Sequence, residues 1–148
     1  MGDYDVVNAA FAAAGVTTEF WKVRIRPGKP LSVGRWNDTL VLGLPGNPVS
    51  AQITATLFLV PVLRQLQGDA RPVPPFVRRR LVRNFSQSPG RRGFFRGVVN
   101  GDEVSLHDKQ GSGSVASMAH ANALVTFDES STGANAGEPV DTLLLADI

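Results

Sequence analysis

The 148-residue sequence contains no cysteine, which excludes a disulfide framework, a thiolate zinc site and a thiol nucleophile. Its first residues lack a basic segment followed by an apolar core, so a secretory signal is not expected. Its longest apolar run lies within residues 53–63 and is too short to span a membrane. The two histidines, His107 and His120, have no partners at metal-ligand spacing. These absences favour a cytoplasmic protein without a membrane partner.

The composition is that of a folded globular protein, with 43% apolar and 19% charged residues. The charges are unevenly placed, because residues 76–100 hold seven arginines and no acid, whereas residues 101–148 hold one lysine and eight acids. Two interpretations stay open: the two segments form ion pairs within one fold, or some of the arginines line an anion site. A nucleic-acid contact through Arg78, Arg79, Arg80 and Arg83 is disfavoured, because no recognised binding motif accompanies these residues.

Up to about residue 70 the sequence predicts an α/β arrangement. Residues 3–15 have the apolar spacing of a helix with a glycine stop. Residues 19–26 alternate as in a strand, and two further strands flank a turn at Asn37-Asp38. Residues 40–44 are apolar at nearly every position, as in a strand that is buried on both faces. With so few strands, this part resembles half of a three-layer α/β domain.

A longer helix and then a different kind of structure follow. Asn47 suits the helix N-cap, Pro48 the first helical position and Gly68 the stop, while Pro61 should kink or interrupt the helix. Residues 71–76 are proline-rich and predict a linker. Short strand patterns separated by Gly, Asn and Ser then predict an all-β unit, a small β-barrel, over residues 77–148. The predicted strands are residues 77–85, 93–99, 103–108, 123–128 and 139–145.

The stretch "GLPGNPVS", residues 43–50, joins a predicted strand to the long helix. Amides at the N-terminus of a helix favour a phosphate or another oxyanion, and the Ser50 hydroxyl lies in the first turn. A purely structural strand-to-helix turn has the same pattern.

The stretch "KVRIRPGKP", residues 22–30, concentrates positive charge. Lys22, Arg24 and Arg26 share one face of the predicted strand, and Lys29 is held between two prolines, which restrict its direction. Elsewhere, Arg96 lies in the middle of a predicted strand, and residues 109–114 form a Gly-Ser loop of the kind that can bind anions. Asp3 and Asp5 suit either an N-terminal cap or a Mg²⁺ site.

Five motifs occur together in one order: "GDYD", "WKVRIRPGKP", "GLPGNPVSA", "FFRG" and "QGSGSVASMAHANALV". In this combination the sequence resembles the molybdopterin molybdenumtransferase family, which includes the E domain of gephyrin. The resemblance implies a cytoplasmic homodimer that takes adenylylated molybdopterin and molybdate as substrates. Such enzymes hydrolyse the adenylate with Mg²⁺ and insert molybdenum into the dithiolene. Residues 1–70 then correspond to the C-terminal half of the molybdopterin-binding α/β subdomain, and residues 77–148 to the C-terminal β-barrel subdomain.

The resemblance also implies roles for individual residues. Asp5 and Lys22 match catalytic positions, and Asp5 is in addition a candidate ligand of Mg²⁺. A third position, Arg26, stands where the family commonly has lysine, so the charge is kept but the geometry differs. Gly46 and Asn47 match positions that bind the pterin nucleotide. The positions that match molybdate-binding residues are Arg26, Lys29, Pro30, Ser50, Arg96 and Ser112.

Two N-terminal subdomains of the family, and the first half of its α/β subdomain, have no counterpart in this sequence. We therefore expect the chain to be a truncated part of the enzyme, inactive by itself. An alternative is a non-catalytic binding or scaffold module derived from the same family.

Overall fold

The computed structural model describes residues 7–111 and 115–147, and its first half contains a small antiparallel sheet. Helix α1 (Val7–Ala13) precedes strand β1 (Thr17–Trp21), and the two-residue strand β2 (Ile25–Arg26) follows. Strands β3 (Ser32–Trp36) and β4 (Thr39–Gly43) form a hairpin that turns at Asn37, whose φ of 52° is in the left-handed region. The sheet has the order β1-β3-β4, and the predicted hairpin is confirmed.

The single strand predicted over residues 19–26 is wrong. Strand β1 ends at Trp21, because Lys22 adopts a φ of 74° and turns the chain away from the sheet. The Lys22 amide donates to the Leu31 carbonyl and the Val23 amide donates to the Lys29 carbonyl, both at 3.0 Å, which closes residues 22–31 into a loop. The three cations of this segment therefore do not share one strand face.

The prediction that residues 40–44 are buried on both faces is also wrong. Leu40 is exposed, Val41 and Leu42 are half-buried, and only Gly43 is buried. In the described part of the chain β4 pairs with β3 alone, so it is an edge strand rather than a central one. Helix α1 packs against the C-terminal end of β4, since a Cβ on Gly43 would lie 2.8 Å from a methyl group of Val7.

The long helix, Pro48–Leu66, begins as predicted. Asn47 is the N-cap, and its side chain accepts a hydrogen bond from the Ser50 amide. The helix comprises α2 (Pro48–Thr54), a π-helical stretch (Ala55–Leu59) and α3 (Val60–Leu66). The wide π turn immediately precedes Pro61, which cannot donate a backbone hydrogen bond, so the predicted interruption is a local widening and not a break.

By length and composition this helix could cross a membrane, since it has 19 residues and a mean hydropathy of 1.3. The apolar run on which the sequence prediction rested, residues 53–63, is shorter than the whole helix. A core helix of a globular protein meets the same criteria. Here Val49, Ile53 and Thr54 are buried in contact with the rest of the molecule, so we describe it as a packed helix.

The second half forms a closed five-stranded barrel, as predicted. Neighbouring strands follow the order β7-β8-β5-β11-β9, and β9 pairs back with β7. All pairs are antiparallel except β5 with β8. The barrel strands are β5 (Val77–Leu81), β7 (Arg92–Asn100), β8 (Glu103–Leu106), β9 (Ala123–Phe127) and β11 (Pro139–Leu144).

Four short elements complete the second half. Strands β6 (Phe85–Ser86) and β10 (Gly133–Ala134) pair with each other, and the five-residue helix α4 (Val115–Ala119) precedes β9. A turn of 3-10 helix, Leu145–Asp147, follows the last strand. The sequence patterns did not predict β6 and β10 as a separate pair, nor α4. Strand β2 of the first half pairs in parallel with the start of β7 and so joins the two halves.

Two apolar cores result from the alternation of side chains along the barrel strands. Phe95 points into the barrel, where it makes an edge-to-face contact with Phe127 at 5.8 Å between ring centroids. Its neighbour Phe94 belongs to the second core, which lies between the barrel and the long helix. That second core contains Ile25, Val49, Ile53, Phe94, Met118, Leu124 and Leu143.

Replacing Ile53 with alanine tests this packing of the helix on the barrel. Ile53 is fully buried, so the loss of its methyl groups should lower the free energy of unfolding by about 2–5 kcal/mol. Leu66 on the same helix is 78% exposed, and Leu66→Ala should change it by less than about 0.5 kcal/mol. Urea denaturation followed by circular dichroism measures both. Equal effects of the two substitutions would contradict the packing described here.

Candidate functional site

The loop formed by residues 22–31 lies directly against the long helix. Gly28 has a φ of 113°, and a Cβ at this position would approach the Thr54 methyl carbon to 2.5 Å and an Ile25 methyl carbon to 3.0 Å. The Thr54 hydroxyl donates to the Ser50 carbonyl at 2.8 Å, so its polar atom is already bonded within the helix. Glycine is therefore required at Gly28 both for its backbone conformation and for space. This close approach holds the turn that carries Lys29 against the helix.

A cavity of about 500 Å³ lies between this loop and the barrel. It contains three cations, Arg26, Lys29 and Arg91, and no acidic side chain among the described residues that line it. The first half also contributes Pro27, Gly28, Pro30 and Ser50, and the barrel half contributes Phe94, Phe95, Gln110 and Gly111. A second cavity of about 400 Å³ adjoins it, since both are lined by Arg26, Phe95 and Gln110.

The structure brings four of the predicted site residues together in the larger cavity: Arg26, Lys29, Pro30 and Ser50. Ser50 is buried, with 7% of its surface exposed. Its hydroxyl is 3.5 Å from Asn47 Oδ1, which is longer than a good O–H···O hydrogen bond. The hydroxyl is therefore available as a donor to a ligand.

Three other predicted residues do not line this cavity. The Asn47 side chain caps the helix, accepting from the Ser50 amide at 3.3 Å, and Gly46 is exposed with open space around it. The Lys22 ammonium lies 3.5 Å from the centroid of the Trp21 ring, a cation–π contact. Asp5 and Ser112 lie outside the described residues.

The N-terminus of the long helix offers fewer free amides than the sequence predicted. Pro48 has no N–H group, and the Ser50 amide is bonded to Asn47. The cations and the hydroxyl therefore dominate the polar lining of the cavity.

Arg96 is fully buried and does not line the cavity itself. Its Nη2 donates to the Lys109 carbonyl at 3.0 Å and to the Gly111 carbonyl at 3.1 Å. Its Nε and Nη1 have no hydrogen-bond partner among the described residues. Burial lowers the pKa of Arg96, because the surroundings disfavour the charged guanidinium.

Gln110 binds the same strand from the loop side. Its side-chain oxygen accepts from the Arg96 amide at 3.0 Å, and its Nε2 donates to the Arg96 and His107 carbonyls at 2.8 Å. Both partners of Nε2 are carbonyls, which fixes the orientation of the amide. Arg96 and Gln110 together hold residues 109–111 as one wall of the cavity.

The arginine-rich segment divides into paired and unpaired members. Ion pairing with the acidic segment is confirmed for Arg78, Arg83 and Arg92, whose guanidinium nitrogens lie 3.0–3.6 Å from carboxylate oxygens of Asp141, Asp108 and Asp128. Arg91 has no such partner in residues 7–111 and 115–147, and it lines the cavity. Sequence reasoning missed Arg91, although the excess of arginine in residues 76–100 was a signal for it.

No group of three His, Asp or Glu side chains that could hold a metal ion occurs in the described ranges. The predicted Mg²⁺ ligand, Asp5, is not among those residues.

Comparisons with known proteins agree with the two halves of the fold. Residues 1–65 match the family model of a probable molybdopterin binding domain, and residues 78–145 match the model of the MoeA C-terminal region, domain IV. A molybdopterin molybdenumtransferase of Haemophilus influenzae is 32% identical over 146 residues, which cover 95% of this chain and 36% of the relative. The chain belongs to the molybdopterin molybdenumtransferase family.

Other members of the molybdopterin molybdenumtransferase family show the same partial coverage. Molybdopterin molybdenumtransferase 2 of Mycobacterium tuberculosis is 33% identical over 135 residues, which cover 86% of this chain and 33% of the relative. The crystal structure of a molybdopterin biosynthesis protein from Pyrococcus horikoshii superposes with a TM-score of 0.79 at 29% identity, over 93% of this chain and 34% of that chain. The chain thus spans about a third of the length of these members.

Two glycines of the site region should respond differently to substitution by alanine. Gly28→Ala should lower the free energy of unfolding by more than about 1 kcal/mol, because its φ is positive and the added carbon would meet Thr54. Gly46→Ala should change it by less than about 0.5 kcal/mol, since nothing lies within 4 Å of the added carbon. Chemical denaturation of both variants tests the close approach of the loop to the helix, and a harmless Gly28→Ala would refute it.

Proposed function

We propose that this chain provides the molybdate-binding part of a molybdenum insertase in molybdenum cofactor biosynthesis. The observation that carries the proposal is the cavity, in which Arg26, Lys29 and Ser50 meet the barrel residues Arg91 and Gln110. The resemblance to the family suggests the reaction, and the cavity supports the proposal because its lining suits an oxyanion.

The lining residues suit a tetrahedral dianion. Lysine and arginine form short, charge-assisted hydrogen bonds to anionic oxygens, and these bonds are roughly twice as strong as neutral ones. Ser50 adds a neutral hydroxyl donor to the lining. No acidic side chain in the described lining repels an anion. A module that served only as a scaffold would have no use for such a set, which favours the insertase over the scaffold alternative.

The backbone of the loop is held in place before a ligand arrives. The Lys29 carbonyl accepts from the Val23 amide at 3.0 Å, Pro27 and Pro30 flank the turn, and Gly28 lies against the helix. Little backbone entropy then remains to be lost on binding, which favours affinity. During insertion, Arg26 and Lys29 would stabilise the negative charge of the oxo groups while the two dithiol sulfurs replace one oxo group, which leaves as water with the two thiol protons.

The rest of the reaction belongs to the complete enzyme. Adenylylated molybdopterin is the organic substrate in this proposal, and the adjoining cavity offers room for part of it. Lys22 would act in catalysis, and Gly46 and Asn47 would bind the nucleotide. Arg96 would support the molybdate-binding wall of the cavity, and Ser112 would bind molybdate. Because the chain spans about a third of its relatives, we expect no turnover by the chain alone.

Magnesium enters the proposal only through Asp5, which would share the ion with substrate phosphate oxygens. When bound, Mg²⁺ would supply charge neutralisation for adenylate hydrolysis. The cytoplasmic location, the homodimeric assembly and the absence of nucleic-acid and membrane partners are further parts of the same proposal.

Isothermal titration with molybdate tests the oxyanion site. The intact chain should bind molybdate, and Lys29→Ala should weaken the affinity at least about tenfold, because a charge-assisted hydrogen bond contributes about 1.5–3 kcal/mol. Arg71→Ala removes one positive charge from an exposed residue outside the cavity and should leave the affinity within about threefold of the wild type. Absence of binding by the wild type, or equal losses in the two variants, would overturn the assignment.

A further inference from the structure

The cavity has more positive charge and more volume than one molybdate ion requires. Molybdate has two negative charges, whereas three cations line the cavity and no acid offsets them within the described lining. Its volume of about 500 Å³ falls in the range of about 300–1,000 Å³ that is typical of sites for drug-sized ligands. A five-atom oxyanion would occupy a small part of it.

The surplus charge is that of Arg91, which reaches the cavity from the barrel side. The residues on both sides of it are held by backbone hydrogen bonds: the Gly90 amide donates to the Glu129 carbonyl at 2.6 Å, and the Arg92 amide to the Arg24 carbonyl at 3.0 Å. Gly90 has a φ of 107°, so the turn that precedes Arg91 requires glycine. The backbone position of Arg91 is thus well defined.

Neighbouring arginines are paired with acids, and Arg91 is not. Arg92 lies 3.6 Å from an Asp128 carboxylate oxygen and donates to the Thr126 hydroxyl, while Arg24 lies 3.2 Å from Glu129. Across residues 7–111 and 115–147 no ion pair joins Arg91 to an acid, so its guanidinium is free to bind an anionic ligand. The planar fork of arginine suits two oxygens of one phosphate group.

Lys29 and Ser50 belong to the loop and the helix of the first half, whereas Arg91 belongs to the barrel half. Arg26 lies between the two halves, since β2 pairs with the beginning of β7. The cations of the cavity thus come from separate elements in both halves of the chain.

We propose that the cavity binds two anionic groups at once: the oxyanion near Lys29 and Ser50, and a phosphate group of the organic substrate at Arg91. This inference rests on the proposed function. In it, Arg91 is a substrate-binding residue that places the phosphate-bearing molecule beside the oxyanion.

Calorimetry with two probes tests the inference. Inorganic phosphate and phenyl phosphate are each titrated into the intact chain at pH 8, with and without saturating molybdate. Both probes should bind, and molybdate should change their affinities by less than about threefold. Arg91→Ala should lower the affinities for inorganic phosphate and phenyl phosphate at least about tenfold, while the affinity for molybdate stays within about threefold of the wild type.

Arg92→Ala is the matched control, because it removes the adjacent arginine, which already has an acidic partner and does not line the cavity. It should leave the affinities for all three probes within about threefold of the wild type. Thermal unfolding of each variant establishes that it is folded, and Arg91→Lys should recover part of the phosphate affinity, since it restores the charge without the fork.

Several results would overturn the inference. Competition between molybdate and either phosphate probe would mean a single anion site, and an equal loss of molybdate affinity in Arg91→Ala would mean that Arg91 serves the oxyanion. If inorganic phosphate binds and phenyl phosphate does not, the site at Arg91 does not accept the phosphate group of an organic molecule. Failure of the wild type to bind molybdate would instead contradict the proposed function, while the titrations without molybdate still test Arg91.

Discussion

The contact between the long helix and the outer face of the barrel determines the rest of this structure. Val49 and Ile53 meet Phe94 and Leu124 in one apolar core, and that core also includes Ile25 of the loop. The long helix, the loop and β7 each contribute residues to the cavity as well. Together with the backbone pairing of β2 with β7 and the ion pair of Arg24 with Glu129, the hydrophobic contact sets the distance between the two halves that line the cavity, and it does so without directional bonds of its own.

A buried charge, that of Arg96, lies behind the wall formed by residues 109–111. Arg96 is fully buried on an outward-facing position of β7, where an apolar residue would complete the core. Burying a guanidinium is costly unless its N–H groups are bonded, and two of its bonds go to carbonyls of the loop at residues 109–111. The charge thus anchors a short irregular segment that has few apolar side chains to hold it in place. Gln110 adds two bonds between the loop and the strand, since its side chain accepts from the Arg96 amide and donates to the Arg96 carbonyl.

Local rules predicted most of the regular elements, because those elements depend on local chemistry. The N-cap at Asn47, the hairpin at Asn37 and the short barrel strands follow from neighbouring residues alone. Where the prediction was wrong, a distant contact decided: Lys22 leaves the strand because its amide bonds to Leu31. For the site, the motifs identified Arg26, Lys29, Pro30 and Ser50, all in the cavity, but not Arg91. Adjacent arginines look alike in a sequence, and only the fold shows which of them has an acid within reach.

Because the walls of the cavity come from both halves, an anion bound there acts as a non-covalent cross-link between them. Such a ligand binds the assembled state and not a state in which the helix has left the barrel. At a concentration 100 times its dissociation constant it adds about 2.7 kcal/mol to the stability of that assembly. If the cavity binds an oxyanion as proposed, the choice of buffer salt would become a thermodynamic variable: the same chain would be more stable in a salt of that oxyanion than in chloride, although every residue is unchanged.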